Sequence, residues 1–522
     1  MKPSKKLALF CFSILIAFKI QAASPDSLVR WGEIKFNSTF EQLTFNDFLK
    51  ENKKDYLKLF LTNSPTSDDD LKRFEEKINA TILEINASGA LKRKNDKKVK
   101  VIYQTIHDRF LSKYESENRF YEIIKTGSYN CVTATALYAL FFERLGIPYA
   151  IKEEPTHVYL VAYPNAENVL IETTTPLSGF LSFNSDFKSN YINTLKKQKV
   201  IGSAEVSGSN VDELFNKYYF GNENISLTQL AGIHFQNDAL FKRDHDDLSG
   251  AYEQIQKGYL YYPSTRSEYL LMSFTAENLQ VVSEPVKKAS FIGKIARFKD
   301  TGITPDMIKG EFSNLTGIVL SKNNDKDLYR KCYEETVRNM NDPELKQEIN
   351  YIFNYENGRV FYNQGNYVRA KPYFAKAMAL QPNNVDLGGV FVSCLGQSLR
   401  NERHNLTVLD SLESYKKRFP SLNENNNFNA MMSLAYVIES GDSFAKGDVK
   451  RGEKYQQLFE KQYESDKTLL SPEAVGRAYS EASVYYFKKG QKTKANQLLD
   501  KGLEIVPDNY QLKTRKLMIN GG

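Results

Sequence analysis

Two stretches in the C-terminal part of the chain match at a constant offset. NYENGRVFYNQGNYVRAKPYFAKAMALQPNN (354–384) and EASVYYFKKGQKTKANQLLDKGLEIVPDN (481–509) lie 125 residues apart. Gly365 falls on Gly490, Ala370 on Ala495, Ala377 on Gly502 and Pro382 on Pro507. A third copy, DLSGAYEQIQKGYLYYPS (247–264), keeps the internal distances through Ala251, Gly258 and Pro263. Small residues at these steps let one helix cross closely over another, and the proline stops the second helix. A chain built this way is committed to paired helices over much of its length. The stretch 386–465 is degenerate, so helix pairs are expected there from the period alone. An offset of 125 is not a whole number of ~34-residue units, which calls for insertions or irregular pairs between the copies.

The N-terminus reads MKPSKKLALFCFSILIAFKIQAA. Lys2, Lys5 and Lys6 precede an apolar run from Leu7 to Phe18, and Ala22 closes a small-residue cleavage site, so residues 1–22 are expected to be a signal peptide. No later stretch reaches the ~18 apolar residues of a transmembrane helix. The expectation is an exported chain, periplasmic or extracellular, without a membrane span. Removing Lys2, Lys5, Lys6 and Lys19 takes the formal charge from +7 to +3, which offers no electrostatic case for nucleic acid. It also removes Cys11 and leaves Cys131, Cys332 and Cys394, too few for a disulfide framework, although Cys332 and Cys394 form one conceivable pair. The thiol expected to stay free is Cys131. Six Asn-X-Ser/Thr triplets, at Asn37, Asn79, Asn86, Asn224, Asn314 and Asn405, are what a chain rich in these residues makes by chance.

Residues 23–95 read as amphipathic helices, with Ser67 an N-cap ahead of three Asp. A further helix is expected over 97–114. In GSYNCVTATALYALFFERLGIPYA (127–150), Asn130 is a good N-cap, Leu137, Leu140, Phe141 and Leu145 recur at helical spacing, and Gly146 with Pro148 ends the helix. EEPTHVYLVAY and NVLIETTT then alternate like two half-buried strands joined by PNAEN.

A cysteine attacks as thiolate, and both a helix N-terminus and an adjacent histidine favour that form. Cys131 stands in the first turn of its helix. His157, one of five histidines, lies on the strand that follows, and Glu172 on the next. A turn centred on Asn165-Ala166 puts Glu172 opposite Tyr159, hence His157 and Glu172 on one face as diagonal neighbours. An odd turn without a bulge separates them. The Cys131 N–H and the Asn130 or Tyr129 side chain are the candidate oxyanion donors. His107, beside Asp108 in mid-helix, reads as a surface or core residue. RDHDD (243–247) has no second ligand at metal spacing, so no metal or cofactor is expected. YYFGN (218–222) and YLYYP (259–263) read as repeat core.

The motifs GSYNC, FFERLGIPYA, THVYLV and VLIETTTP together resemble the transglutaminase-like cysteine superfamily, over roughly residues 98–180. The resemblance implies an α+β papain-like fold, with Cys131 as nucleophile, His157 as general base and acid, and Glu172 orienting the imidazole. It also implies acyl transfer from peptide amides, with hydrolysis ahead of crosslinking. Glu172 stands where the family usually has Asp. The C-terminal pattern resembles the tetratricopeptide repeat through Gly365, Tyr367 and Ala370, which implies an all-α array presenting a concave surface to a protein or peptide. Such a domain followed by such repeats is similar to a known bacterial arrangement. The expected order is a signal peptide (1–22), a helical segment (23–95), a transglutaminase-like domain (96–215), a helical region with one repeat-like pair (216–345) and tetratricopeptide-like repeats (346–522). The alternative is a binding scaffold whose transglutaminase-like domain has lost activity.

Overall fold

The computed structural model describes residues 28–154, 157–173, 180–181, 185–197, 201, 210–219, 224–468 and 471–521, and the expected signal peptide lies outside them. Among the described residues helices dominate, with one two-stranded and one five-stranded sheet, in two compact units: Met1–Val282 with Asp300–Gly302, and Ser283–Lys299 with Ile303–Gly522.

In the first unit the N-terminal segment forms helices Thr39–Leu49, Tyr56–Leu61 and Asp68–Ala87, capped by Ser38, Asp55 and Ser67. Ser67 and Asp70 close a reciprocal capping box, as the three-Asp first turn suggests. Phe45, Phe60 and Phe74 enter the same buried cluster as Ile106, Leu137, Phe141, Phe235 and Tyr261. The boundaries drawn at 95 and 215 therefore fall inside one core, and the break between units comes near 282 instead of 345. Hydrophobic burial recognises contact, not segment order, so a run without visible chemistry still builds the core. Within it Lys257 Nζ meets Glu41 Oε1 at 2.6 Å, both side chains almost fully buried.

The helix expected over 97–114 runs Asn95–Phe110. Lys113–Tyr114 (β1) leave it and pair in parallel with Ser128–Tyr129 (β2). Gly127, at φ +77°, makes this approach: a Cβ there would sit 2.4 Å from Ser112 Oγ. Two strands were expected after the Cys131–Leu145 helix, and among the described residues the sheet has five. Tyr149–Glu154 (β3), His157–Ala162 (β4), Val169–Ile171 (β5), Phe180–Leu181 (β6) and Asn224–Ile225 (β7) lie in the order β6-β5-β4-β3-β7, each pair antiparallel. β3, YAIKEE, lacks clean alternation because even Lys152 is buried, so its pattern does not announce a strand. Val158, Leu160 and Ala162 join the large core, while Tyr159 and Val161 pack with Leu170, Ile192, Leu214 and Phe215 on the other face.

The repeat-like copy at 247–264 is the Leu248–Tyr261 helix, packed on Leu227–Asp244. A Cβ at Gly258 would lie 3.0 Å from the Gly232 carbonyl oxygen, which is the close crossing the small residues imply.

In the second unit helix pairs begin at Pro343, Val385, Asn426 and Pro472, in steps of 42, 41 and 46 residues. The second helices of these pairs begin at Tyr367, Asn405, Val449 and Lys492, in steps of 38, 44 and 43 residues that make up the 125-residue offset. Each unit is therefore longer than ~34 residues, and one junction carries an extra 3-10 helix, Pro420–Glu424. The helices are also long: Pro343–Asn363 has 21 residues. Gly365, Gly447 and Gly490, all at positive φ, link the helices within three of the pairs. Cys332 and Cys394 are both buried and unpaired, so the conceivable disulfide does not form.

The contrast between crowded and open glycines gives a measurable outcome. Gly502→Ala is expected to cost about 1–3 kcal/mol by overpacking, since its Cβ would sit 2.9 Å from Tyr479 Cβ and Leu512 Cδ1. Gly389→Ala meets nothing within 4 Å and is expected to raise stability by about 0.5–1 kcal/mol through helix propensity. Chemical denaturation of both variants checks the pair.

Candidate active site

Local bonding sets Cys131 at the mouth of its helix. Asn130 accepts from the Thr133 N–H at 2.9 Å, and Thr133 Oγ1 accepts from the Asn130 N–H at 2.9 Å. Asn130 Nδ2 donates to the Ser116 carbonyl at 3.0 Å, and Thr133 Oγ1 donates to Asn118 Oδ1 at 3.0 Å. The helix start is thus strapped to residues 116–118. Cys131 is the first helical residue and half-buried, so its N–H has no acceptor within the helix.

β4 and β5 bring the other two groups. Leu160 faces Ile171 and Val161 faces Leu170, the register of a turn centred on Asn165-Ala166. Continued one step past β5, it puts Glu172 opposite Tyr159. His157 Nε2 lies 3.0 Å from Glu172 Oε2, with the side chains 22% and 19% exposed. Both are reachable from solvent yet shielded enough for their charges to interact strongly. A hydrogen bond with Cys131 comes first, and one with Glu172 second, in pushing the His157 imidazole up to about 10, against the opposing pull of burial. With Nε2 on Glu172, Nδ1 is the ring nitrogen left for the thiol. The Tyr159 ring stacks on His157 at 5.9 Å.

Aromatic rings back the site. Tyr138, Tyr103 and His107 form a parallel stack, Tyr129 stands edge-on to His107, and Tyr114 edge-on to Tyr129. Tyr103 Oη donates to the Glu172 carbonyl at 3.4 Å, anchoring the end of β5, and burial raises its phenol to about 12. His107 is a member of this stack, in line with its reading as a packing residue.

The oxyanion candidates separate. The Asn130 amide is spent on the cap and on the Ser116 carbonyl, so it is withdrawn from that role. The Tyr129 ring is 2% exposed and held between Tyr114 and His107. Sequence reasoning passed over Tyr103 and Tyr114. Tyr103 had only helical spacing to mark it, and Tyr114 was assigned to a helix end. RDHDD terminates one helix and starts the next: His245 Nδ1 lies 2.7 Å from the Phe241 carbonyl, and Asp247 caps Gly250. Tyr259 and Tyr261 of YLYYP are core residues, while YYFGN falls partly outside the described residues.

No protein-family model matches the chain, and no curated protein matches it in sequence. Among the described residues, no helix is long and apolar enough to cross a membrane.

Proposed function

We propose that Cys131, His157 and Glu172 form a nucleophilic site for acyl transfer from peptide amides, in an exported transglutaminase-like cysteine hydrolase or transferase with a papain-like α+β domain. The observation that carries this reading is His157 Nε2 held 3.0 Å from Glu172 Oε2, in a ring whose imidazole is raised first by Cys131, the first residue of a capped helix. A scaffold that had abandoned chemistry has no need to hold a carboxylate on an imidazole that a half-buried thiol at a helix start influences. Glu172, longer than Asp by a methylene, reaches the ring at 3.0 Å.

In the proposed reaction His157 takes the Cys131 proton and the sulfur adds to the substrate carbonyl carbon, whose π electrons move onto oxygen. Collapse breaks the C–N bond, and the imidazolium gives its proton to the departing amine or ammonia. The remaining thioester is opened by water, giving an acid, or by an amine, giving a new amide. Cys131 recovers its proton through His157 in that step. Glu172 stabilises the imidazolium and holds its orientation. No metal or cofactor enters. The helical array is proposed to hold a protein or peptide partner or substrate.

The test is incubation with a complex peptide mixture, followed by mass spectrometry, for the wild type and Cys131→Ala. New peptide termini present only with the wild type mean hydrolysis, and loss of ammonia with joined peptides means transfer. Identical spectra for both proteins would return the alternative, a protein-binding scaffold with an inactive domain.

A further inference from the structure

An acyl-transfer site needs two donors where the carbonyl oxygen turns anionic. The Cys131 N–H provides one, and the Asn130 amide is committed elsewhere. The strap that fixes the helix mouth also brings a second group there. Lys113 and Tyr114 pair with Ser128 and Tyr129, the Glu115 N–H donates to the Tyr129 carbonyl at 2.8 Å, and Asn130 holds the Ser116 carbonyl. β1 therefore runs beside the two residues that lead into Asn130 and Cys131. The Tyr114 ring stands edge-on to Tyr129, with centroids 5.8 Å apart and planes at 86°, which limits its rotation. Tyr114 is 44% exposed, unlike the 2% of Tyr129, so its phenol can meet a substrate.

We propose that Tyr114 is the second oxyanion donor of the Cys131 site, its phenol O–H bonding to the carbonyl oxygen of a peptide amide or other acyl substrate. The proposal rests on the acyl-transfer reading above. As Cys131 Sγ adds to the carbonyl carbon, the π pair moves to oxygen and the Tyr114 O–H shortens its bond to that oxygen. The phenol keeps its proton, and no bond to Tyr114 forms or breaks. Burial first, then the charges of Cys131 and Glu172, raise the Tyr114 phenol above its ordinary value, which keeps it a donor at neutral pH.

Two reagents separate this role from a structural one. p-Nitrophenyl acetate acylates a thiol through a tetrahedral intermediate, whereas iodoacetamide alkylates it by displacement, with no oxyanion. Rates at Cys131 are measured for wild type, Tyr114→Phe and Tyr129→Phe in the full chain, with Cys131→Ala as background. Tyr114→Phe is expected to slow acylation about 10²–10³-fold while alkylation stays within about two-fold of wild type, with Tyr129→Phe affecting acylation far less. Equal loss in both reactions, or no loss of acylation, would overturn the assignment. If wild-type Cys131 is alkylated no faster than Cys332 and Cys394, the acyl-transfer reading itself has failed and Tyr114 falls with it.

Discussion

His157→Ala is expected to slow alkylation of Cys131 by iodoacetamide at pH 7 by about tenfold or more. A thiol of ordinary pKa, about 8.5, is only a few per cent thiolate at that pH. The imidazole, pushed up to about 10 first by Cys131 and then by Glu172, is a strong enough base to take that proton. Cys332 and Cys394 serve as controls in the same sample, because burial raises both thiols to about 11. Mass spectrometry resolves the three sites. A His157→Ala rate equal to wild type would mean that the imidazole does not activate the thiol.

The same pair shapes stability against pH. A histidine whose folded value lies above its unfolded value of about 6.5 stabilises the fold fully below that pH. The contribution is then lost as pH rises through about 10. The melting temperature of the wild type is therefore expected to fall more steeply between pH 7 and 10 than that of His157→Gln. Parallel slopes for the two proteins would remove the ion pair from the account.

Lys257→Met is expected to cost about 3–5 kcal/mol, because it leaves Glu41 charged and buried without its partner. Thermal unfolding read through Trp31, the only tryptophan, reports on this unit. Trp31 packs against Phe36 and beneath Lys50. At about 2–4 °C per kcal/mol for a unit of this size, the shift is easily measured. The double variant Glu41→Leu with Lys257→Met is expected to recover most of the loss, since an apolar pair avoids the desolvation penalty of two charges. A single variant within about 0.5 kcal/mol of wild type, the range of a surface substitution, would show that the pair carries no such weight.

Much of the site was legible because its signals are local. Asn130 as cap, the helical spacing to Leu145 and the even turn at Asn165-Ala166 each act over a few residues. They place Cys131 at a helix mouth, and with the even turn that the structure adopts they set His157 beside Glu172. Tyr103 had only helical spacing to mark it, and Tyr114 was not legible because nothing in HDRFLSKY says that the helix stops at Phe110. The stop depends on a backbone approach from Gly127, which is not a neighbour in sequence. β3 was missed for a related reason. Ala150, Ile151 and Lys152 are all buried, so both of its faces are covered, and a strand covered in this way shows no alternation.

By itself, the sequence determined the helix pairs of the C-terminal part, since small residues and prolines at fixed distances act within one pair. It also determined the cap at Asn130, whereas between the even and odd turns it allowed after β4 the structure took the even one. The tertiary structure alone decided that the N-terminal helices share the core of the Cys131 helix, through Phe45, Phe60 and Phe74. It alone decided that Lys257 finds Glu41 and that Tyr114 comes to the mouth of the Cys131 helix. Turns, caps and helix periods are set by backbone geometry over a few residues. Contacts between distant segments are set by which apolar and charged surfaces must leave water together, and no short-range pattern encodes that choice.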